Sequence, residues 1–145
     1  MSQREKKPVS ILVKTEVTQE QEFKEFLVEV KGHMVVINDV IYLRYEEIIE
    51  GIDTPVPVTI KILPDGTVTL IRSGDVKMKL NFSYEEKKET TYTTPYGMMS
   101  ISTMTNHLHI SLKDNPQSGS VTIEYDLFAG EEKLGMYHLM INFSA

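Results

Sequence analysis

Alternation of apolar and polar residues with a period of two runs through almost the whole chain. The clearest example alternates polar with large apolar side chains: Lys77, Met78, Lys79, Leu80, Asn81, Phe82. Successive side chains of a β-strand point to opposite faces of a sheet, so this period is typical of strands with one buried face. The alternation therefore predicts an all-β protein.

Residues 18–31 allow a second interpretation. Thr18 and Gln21 have the spacing of a capping box, which would start a helix at this point. The run 28–31 alternates instead, and Gly32 follows it as a bend. We therefore predict a strand over this segment.

Turn signals divide the chain into about ten such strands. Asn38-Asp39 and Leu63-Pro64-Asp65-Gly66 have the composition of hairpin turns, and a change of apolar parity around Asn106 predicts a β-bulge. The segments leave no room for a long crossover, so each strand is expected to pair with its neighbours in sequence. We predict a single antiparallel up-and-down β-barrel of about 8–10 strands, whose closure removes exposed edges.

The length of 145 residues predicts one domain. We assign residues 1–145 to this barrel and expect residues 1–7, which are mostly charged or polar, to form a disordered N-terminal tail. The chain contains no cysteine, which excludes disulfides, thiolate zinc sites and cysteine nucleophiles.

Charge and hydropathy narrow the classes of partner. Fifteen Lys and Arg residues against 21 Asp and Glu leave a net charge of −6, and only three of the cations are arginines, so nucleic acid is not an expected partner. No apolar run approaches the roughly 18–20 residues of a spanning helix, and the start of the chain has no secretory signal pattern. We expect a cytoplasmic protein that does not bind membranes.

Four short runs carry a family resemblance: Tyr42–Glu47, Ile71–Met78, Thr94–Gly97 and Glu124–Asp126. In order and spacing they resemble the YwiB-like family of small bacterial proteins of unknown function, from about Val9 to Phe143. The resemblance implies a calycin-like, lipocalin-type cytoplasmic barrel. It implies no activity, substrate or catalytic residues, so no functional residue is transferred to this chain.

Two arginines are the main candidates for a site inside the barrel. Arg72 shares its strand parity with Leu70, and Arg44 shares its parity with Tyr42, so we predict that both arginines project inward. A buried guanidinium requires a partner, either a ligand carboxylate or phosphate or a protein carboxylate such as Glu46 or Glu124. Tyr92 and Tyr96, beside a Pro and a Gly, are candidates to stack on a ligand at the barrel mouth. The predicted lumen site thus comprises Tyr42, Arg44, Arg72, Tyr92 and Tyr96.

A metal site is the weaker hypothesis. His107 and His109 lie two residues apart and so share one face of a strand. A catalytic zinc ion requires a third protein ligand, for which His33 and His138 are the available histidines, but the sequence does not bring either of them to this pair. We predict no cofactor.

Three functions remain open. We favour a non-enzymatic barrel that binds a small, partly apolar, anionic ligand. The alternative is a structural or protein-interaction barrel with a filled lumen and an unidentified protein partner. A third hypothesis, a metal-dependent enzyme, depends on His107 and His109 alone.

Overall fold

Ten β-strands make up the secondary structure of the described residues. The structure is a computed structural model, and it describes residues 6–48, 54–74, 77–113 and 118–145. The strands are β1 (Lys7–Gln19), β2 (Glu22–Ile37), β3 (Val40–Glu47), β4 (Val56–Ile62), β5 (Val68–Ser73), β6 (Lys77–Phe82), β7 (Lys87–Thr94), β8 (Gly97–Lys113), β9 (Ser118–Ala129) and β10 (Glu132–Ser144).

Each strand pairs antiparallel with the strands before and after it, and β1 pairs with β10 to close the ring. The predicted antiparallel up-and-down barrel is therefore confirmed. We call the end at which the odd-numbered strands finish the upper end of the barrel, and the opposite end the lower end.

Two-residue turns fix the pairing of the first three strands. Glu20 and Gln21 have φ angles of 46° and 69°, and Asn38 and Asp39 have φ angles of 52° and 66°. Positive φ at both central residues is characteristic of a type I′ turn, whose twist matches that of the strands it joins. The hairpin predicted at Asn38-Asp39 is confirmed.

The turn between β4 and β5 is held by the side chain of Asp65. Its Oδ1 accepts hydrogen bonds from the Thr67 backbone nitrogen at 2.9 Å and from the Thr67 hydroxyl at 2.7 Å. These bonds hold the pKa of the Asp65 carboxyl below its usual range. Gly66 has a φ of 91°, which an L side chain rarely adopts. The hairpin predicted at Leu63–Gly66 is confirmed.

The segment with two interpretations, residues 18–31, contains the β1–β2 hairpin rather than a helix. β1 and β2 pair continuously from Lys7↔Met34 to Gln19↔Glu22. Residues 1–5 of the expected tail lie outside the described residues, and Lys7 is already part of β1. No helix in the described ranges is long and apolar enough to cross a membrane.

The bulge predicted at Asn106 is present. The register between β8 and β9 shifts between Thr105 and His107, so that Asn106 has no directly opposite partner. The Asn106 Nδ2 donates a hydrogen bond to Asp126 Oδ2 at 3.1 Å. The bulge changes which parity faces inward, as the apolar pattern on either side of it requires.

Side chains of one parity on each strand form the core. Residues of the first four strands in this core cluster include Ile11, Val13, Leu43, Tyr45, Val58 and Ile60. Residues of the later strands include Val68, Leu70, Leu80, Phe82, Val121, Ile123, Leu139 and Ile141. Tyr45 and Val58 lie toward the upper end at the level of Arg72, and the other side chains of the cluster fill the middle and lower parts of the barrel. Burial of their apolar surface is the main stabilising contribution to the fold.

Pairing around the barrel is uneven. β2 pairs with β3 only over residues 33–37, although it pairs with β1 along nearly its whole length. β6 pairs with β7 at only two positions, Lys77↔Thr93 and Met78↔Tyr92. Among the described residues, backbone pairing is therefore missing at the upper end between β2 and β3, and at the lower end between β6 and β7.

Gly32 lies at the point where β2 separates from β3, and its lack of a side chain permits the close approach. A Cβ at this position would overlap the Arg44 carbonyl oxygen and lie 2.8 Å from Ile11 Cδ1. We predict that Gly32→Ala lowers the free energy of unfolding by about 1–3 kcal/mol, measured by urea denaturation. His33→Ala, at the exposed neighbouring position, is the control and should change it by less than about 0.5 kcal/mol. Equal stability of the two variants would contradict this explanation.

Candidate functional site

A charged pair lies on the inner face of the barrel toward its upper end. Arg72 Nε donates a hydrogen bond to Glu47 Oε2 at 3.3 Å, and Arg72 Nη2 donates one to Glu47 Oε1 at 3.2 Å. The side chain of Arg72 is 31% exposed and that of Glu47 is 10% exposed. The pair is thus removed from most of the solvent, and about a third of the Arg72 side chain remains exposed.

Tyrosines surround this pair. The Tyr45 hydroxyl donates a hydrogen bond to Glu47 Oε1 at 3.4 Å. Burial, followed by the negative charge of Glu47, raises the pKa of Tyr45 above its ordinary range. Burial is also the largest cause that raises the pKa of Tyr125, whereas the positive charge of Arg72 opposes the rise. Both phenols are therefore protonated hydrogen-bond donors at neutral pH.

Aromatic rings continue from this cluster toward β10. The centroid of the Phe82 ring lies 4.7 Å from that of Tyr125, and Tyr125 stacks on Tyr137 with centroids 5.0 Å apart and an interplanar angle of 10°. Gln19 Nε2 donates a hydrogen bond to the Tyr137 hydroxyl at 3.3 Å. Thr105, directly opposite Tyr125, is fully buried, and within the described ranges its hydroxyl has no hydrogen-bond partner. Polar and aromatic groups thus replace the aliphatic core in this part of the barrel.

Arg72 also begins a row of directly opposite residues on the inner face. Arg72 pairs with Met78, Met78 with Tyr92, and Tyr92 with Met99. Directly opposite residues of an antiparallel pair lie on the same face. Met78 and Tyr92 pack against the core, whereas Met99 is 46% exposed at the upper end. The row thus places apolar and aromatic side chains next to Arg72 on the inner face.

The structure corrects two of the five predicted lumen residues. Arg44 and Tyr42 lie on the outer face of β3, because the inner face of this strand carries Leu43 and Tyr45. The guanidinium carbon of Arg44 lies 5.4 Å from the centroid of the Tyr42 ring, and Lys61 Nζ lies 5.6 Å from the same centroid. The prediction that Arg44 projects inward is wrong, since the parity of β3 is opposite to the one we chose.

The remaining predicted lumen residues separate into two groups. Arg72 and Tyr92 belong to the same inner row, as expected for a common site. Tyr96 lies in the turn between β7 and β8 and is 99% exposed, so the structure does not bring it to the lumen with them.

Sequence reasoning missed the carboxylate that pairs with Arg72. We named Glu46 and Glu124 as protein partners, but both are exposed, and the partner is Glu47. The missed signal is that Glu47 shares its parity with Leu43 and Tyr45 on β3. Once Leu43 is assigned to the core, the period of two along β3 places Glu47 on the same inner face.

The histidine pair lies on the outer face of β8. His107 and His109 are both exposed, and they lie opposite Glu124 and Thr122 of β9. In the part of the chain that the structure describes, no group of three metal-ligating side chains occurs. His138 instead lies with its Nδ1 3.1 Å from Glu16 Oε1 across the β1–β10 pair.

The described part of the barrel contains a cleft between strands and a groove across strand ends. A cleft of about 600 Å³ separates β2 from β3 and β4, and its lining includes Lys31, His33, Arg44, Ile48 and Pro57. A smaller groove of about 370 Å³ crosses the lower ends of β1, β10, β9 and β8, and its lining includes Leu12, Ser120 and Asn142. The larger cleft forms because β2 and β3 stop pairing above His33.

Comparison with known proteins confirms the resemblance in sequence. The profile of DUF1934, a domain of unknown function, matches residues 11–141. The chain is 27% identical over 138 residues to YwiB, an uncharacterized β-barrel protein of Bacillus subtilis (strain 168). The aligned region covers 94% of this chain and 92% of the relative.

The fold is also similar to a solved structure. The crystal structure of YwiB from Bacillus subtilis superposes with a TM-score of 0.84 at 22% identity, covering 97% of this chain and 92% of that chain. This similarity shows the fold of the barrel and assigns no role to its residues.

The buried tyrosines predict a loss of stability at alkaline pH. In the unfolded chain a phenol has a pKa of about 10, whereas in the folded barrel the pKa values of Tyr45 and Tyr125 are raised. Their contribution to stability is therefore complete below about pH 10 and lost as the pH rises further, because only the unfolded state releases these protons. Each tyrosine should add a slope of about −1.4 kcal/mol per pH unit to the free energy of unfolding above that pH.

Urea denaturation between pH 8 and 11 measures this slope in the wild type and in Tyr45→Phe and Tyr125→Phe. Each substitution should reduce the alkaline slope by about one proton. The comparison at pH 8 is the control, since it reports lost packing or hydrogen bonding without phenol ionisation. Identical slopes in all three proteins would contradict the assignment.

Proposed function

We propose a function for this chain, which belongs to the DUF1934 family of unknown function: the barrel binds a small, partly apolar organic anion at its upper end. The observation that carries the proposal is the partly exposed Arg72 side chain on the inner face of the barrel, at the head of an apolar row. The proposed role is non-enzymatic and requires no cofactor.

The chemistry of Arg72 supports an anionic ligand. A guanidinium presents a rigid fork of N–H donors that matches a carboxylate or a phosphate. Glu47 occupies the edge formed by Nε and Nη2, and the same carboxylate accepts from Tyr45. The Glu47 carboxylate therefore orients the guanidinium while a third of the Arg72 side chain stays accessible to a ligand.

The neighbouring side chains support an apolar portion of that ligand. Met78 and Tyr92 follow Arg72 on the inner face, and Met99 extends the row toward solvent. Methionine adapts its shape to a bound molecule, and a tyrosine ring offers a flat stacking surface. A ligand with its anionic group at Arg72 and its hydrocarbon part along this row would satisfy both kinds of contact.

A binding role fits the protonation of the nearby phenols. Tyr45 and Tyr125 have raised pKa values, so at neutral pH both phenols are protonated and do not act as bases. The Tyr45 hydroxyl donates a hydrogen bond to Glu47. The buried Thr105 hydroxyl adds a polar group on the same side of the barrel as Tyr125. These groups favour recognition of a polar ligand more than proton transfer.

The alternative is a protein-interaction barrel with a filled lumen. The closely packed aliphatic side chains of the lower part of the barrel favour it. In this case the Arg72–Glu47 pair is a structural plug, and loss of either partner lowers stability without affecting retention of a small molecule.

Native mass spectrometry of protein gently purified from its host, compared with the denatured mass, tests the proposal. We expect an added organic mass on the wild type and on Arg44→Met, because Arg44 lies on the outer face. The same mass should be lost from the double variant Glu47→Gln/Arg72→Met, with an affinity at least about tenfold lower, since charge-assisted hydrogen bonds contribute about 1.5–3 kcal/mol. The double variant avoids an unpaired buried carboxylate.

Circular dichroism checks that each variant is folded. Equal retention of the added mass by all three proteins would contradict the Arg72 site, and a wild type that carries only a second protein would favour the interaction barrel. A zinc-sized increment that disappears in His107→Ala/His109→Ala would instead favour the metal hypothesis.

A further inference from the structure

The upper part of β2 has an open edge. Residues 22–32 pair with β1 on one side, and in the described ranges no strand pairs with residues 23–31 on the other side. β3 contributes no partner above His33↔Arg44. This segment of β2 is thus an open edge strand, although the ring of ten strands closes through the other pairs.

The two hairpins that flank β2 determine which backbone groups point to this edge. In a two-residue hairpin the residues next to the turn form a hydrogen-bonded pair, and such pairs then alternate along the strands. Gln19↔Glu22 is such a pair, so the even-numbered residues of β2 bond to β1. Ile37↔Val40 is the corresponding pair of the next hairpin and gives the same parity. The N–H and C=O groups of residues 23, 25, 27, 29 and 31 therefore face the open edge.

Large apolar side chains are exposed along this edge. Phe26 is 54% exposed, and Phe23 and Leu27 are each 61% exposed. Exposed edge strands with apolar side chains are templates for pairing with another chain. The partner strand must also carry charges that complement those of β2.

We infer that the open edge of β2 binds the same edge of a second copy of this chain, forming an antiparallel strand pair around a two-fold axis at Val28. In this register Glu25 lies opposite Lys31 of the second copy, and Lys31 opposite Glu25 of the second copy. Leu27 lies opposite Glu29. Opposite charges placed directly across an antiparallel pair stabilise it.

Neighbouring registers lack either this charge complementarity or most of the strand pairing. Centring the pair on Leu27 places Glu25 opposite Glu29 of the second copy, and centring it on Glu29 places this residue opposite its own copy. Like charges directly opposite each other are destabilising. Centring it on Phe26 brings no opposite charges together. Centring it on Val30 places Glu29 opposite Lys31 of the second copy, but it confines the pairing to residues 29–31, because His33 already pairs with Arg44. The charge sequence of β2 and the length of its open edge together select the register centred on Val28.

The inner face of the pair supports the same register. Val28 meets Val28 of the second copy, and Phe26 meets Val30 of the second copy. Both valines already pack against the core, so the pair would extend this apolar surface and cover Phe26. Strand pairing in this register is limited to residues 25–31 of each copy, because residues 33–37 already pair with β3. Residues 22–24 of the second copy therefore have to leave the sheet beside Gly32, where a cleft of about 600 Å³ separates β2 from β3.

The existing contacts of the charged residues do not prevent this pairing. Glu25 lies 3.9 Å from Lys14 in an exposed ion pair, and Lys31 donates a hydrogen bond to the Ser10 hydroxyl at 3.0 Å. Exposed contacts of this kind have little energetic weight. The open edge of β2 shares no residue with the proposed ligand site, so self-association and ligand binding can be tested independently.

Light scattering coupled to size-exclusion chromatography, over a range of concentrations, tests the inference. We expect the wild type to be a dimer. Glu25→Lys and Lys31→Glu should each raise the dimer dissociation constant at least about tenfold, and the double variant Glu25→Lys/Lys31→Glu should restore dimerisation. The control is Lys24→Glu, which makes the same charge change on the inner face of the same strand and should leave the dimer intact.

Leu27→Pro removes an N–H group that faces the open edge and should also abolish the dimer, since proline is tolerated at strand edges but donates no hydrogen bond. A wild type that stays monomeric at every concentration overturns the inference. A dimer that survives Leu27→Pro also overturns it, and one that the charge exchange does not restore overturns the register.

Discussion

Backbone pairing around a closed ring of strands is the constraint on which the rest of this structure depends. Each strand must satisfy its N–H and C=O groups on both sides, and the two-residue turns of the first hairpins set the register in which it does so. Closure places one parity of every strand in a common interior. The pairing lapses above Gly32 between β2 and β3, and it is short between β6 and β7. The features with functional potential lie next to these two places.

The interior changes character along the barrel axis. Aliphatic side chains fill the lower part, where burial of apolar surface stabilises the fold. Toward the upper end Arg72, Glu47 and Tyr45 form a hydrogen-bonded cluster. Removing a charge from water is unfavourable, and a hydrogen-bonded opposite charge offsets that cost only in part. Partial exposure of the Arg72 side chain lowers the cost further, and the proposed ligand would contact this exposed part. The partial exposure of Arg72 thus affects both the stability of the fold and the proposed binding of a ligand.

The two proposals address separate surfaces of the barrel. The ligand site faces the interior near β5, β6 and β7, whereas the contact with a second copy uses the outer edge of β2. Similarity to another β-barrel of unknown function supports the fold and is neutral between ligand binding and self-association, because one fold supports many functions. Individual residues therefore have to distinguish ligand binding from self-association. Variants of Arg72 are compared with the outer-face control Arg44 for the first proposal, and variants of Lys31 with the inner-face control Lys24 for the second.

The sequence alone determined the fold class, the antiparallel order of the strands, the turn at Asn38-Asp39 and the bulge at Asn106, because period-two alternation and turn composition are local signals. It also placed Arg72 on the inner face, because the other residues on the same face of β5 are apolar. It could not orient β3, in which both parities carry apolar, aromatic and charged residues. Only the tertiary structure assigned Glu47 to the interior and Arg44 to the outside, because closure of the barrel and the register with β4 decide which face of an ambiguous strand is buried.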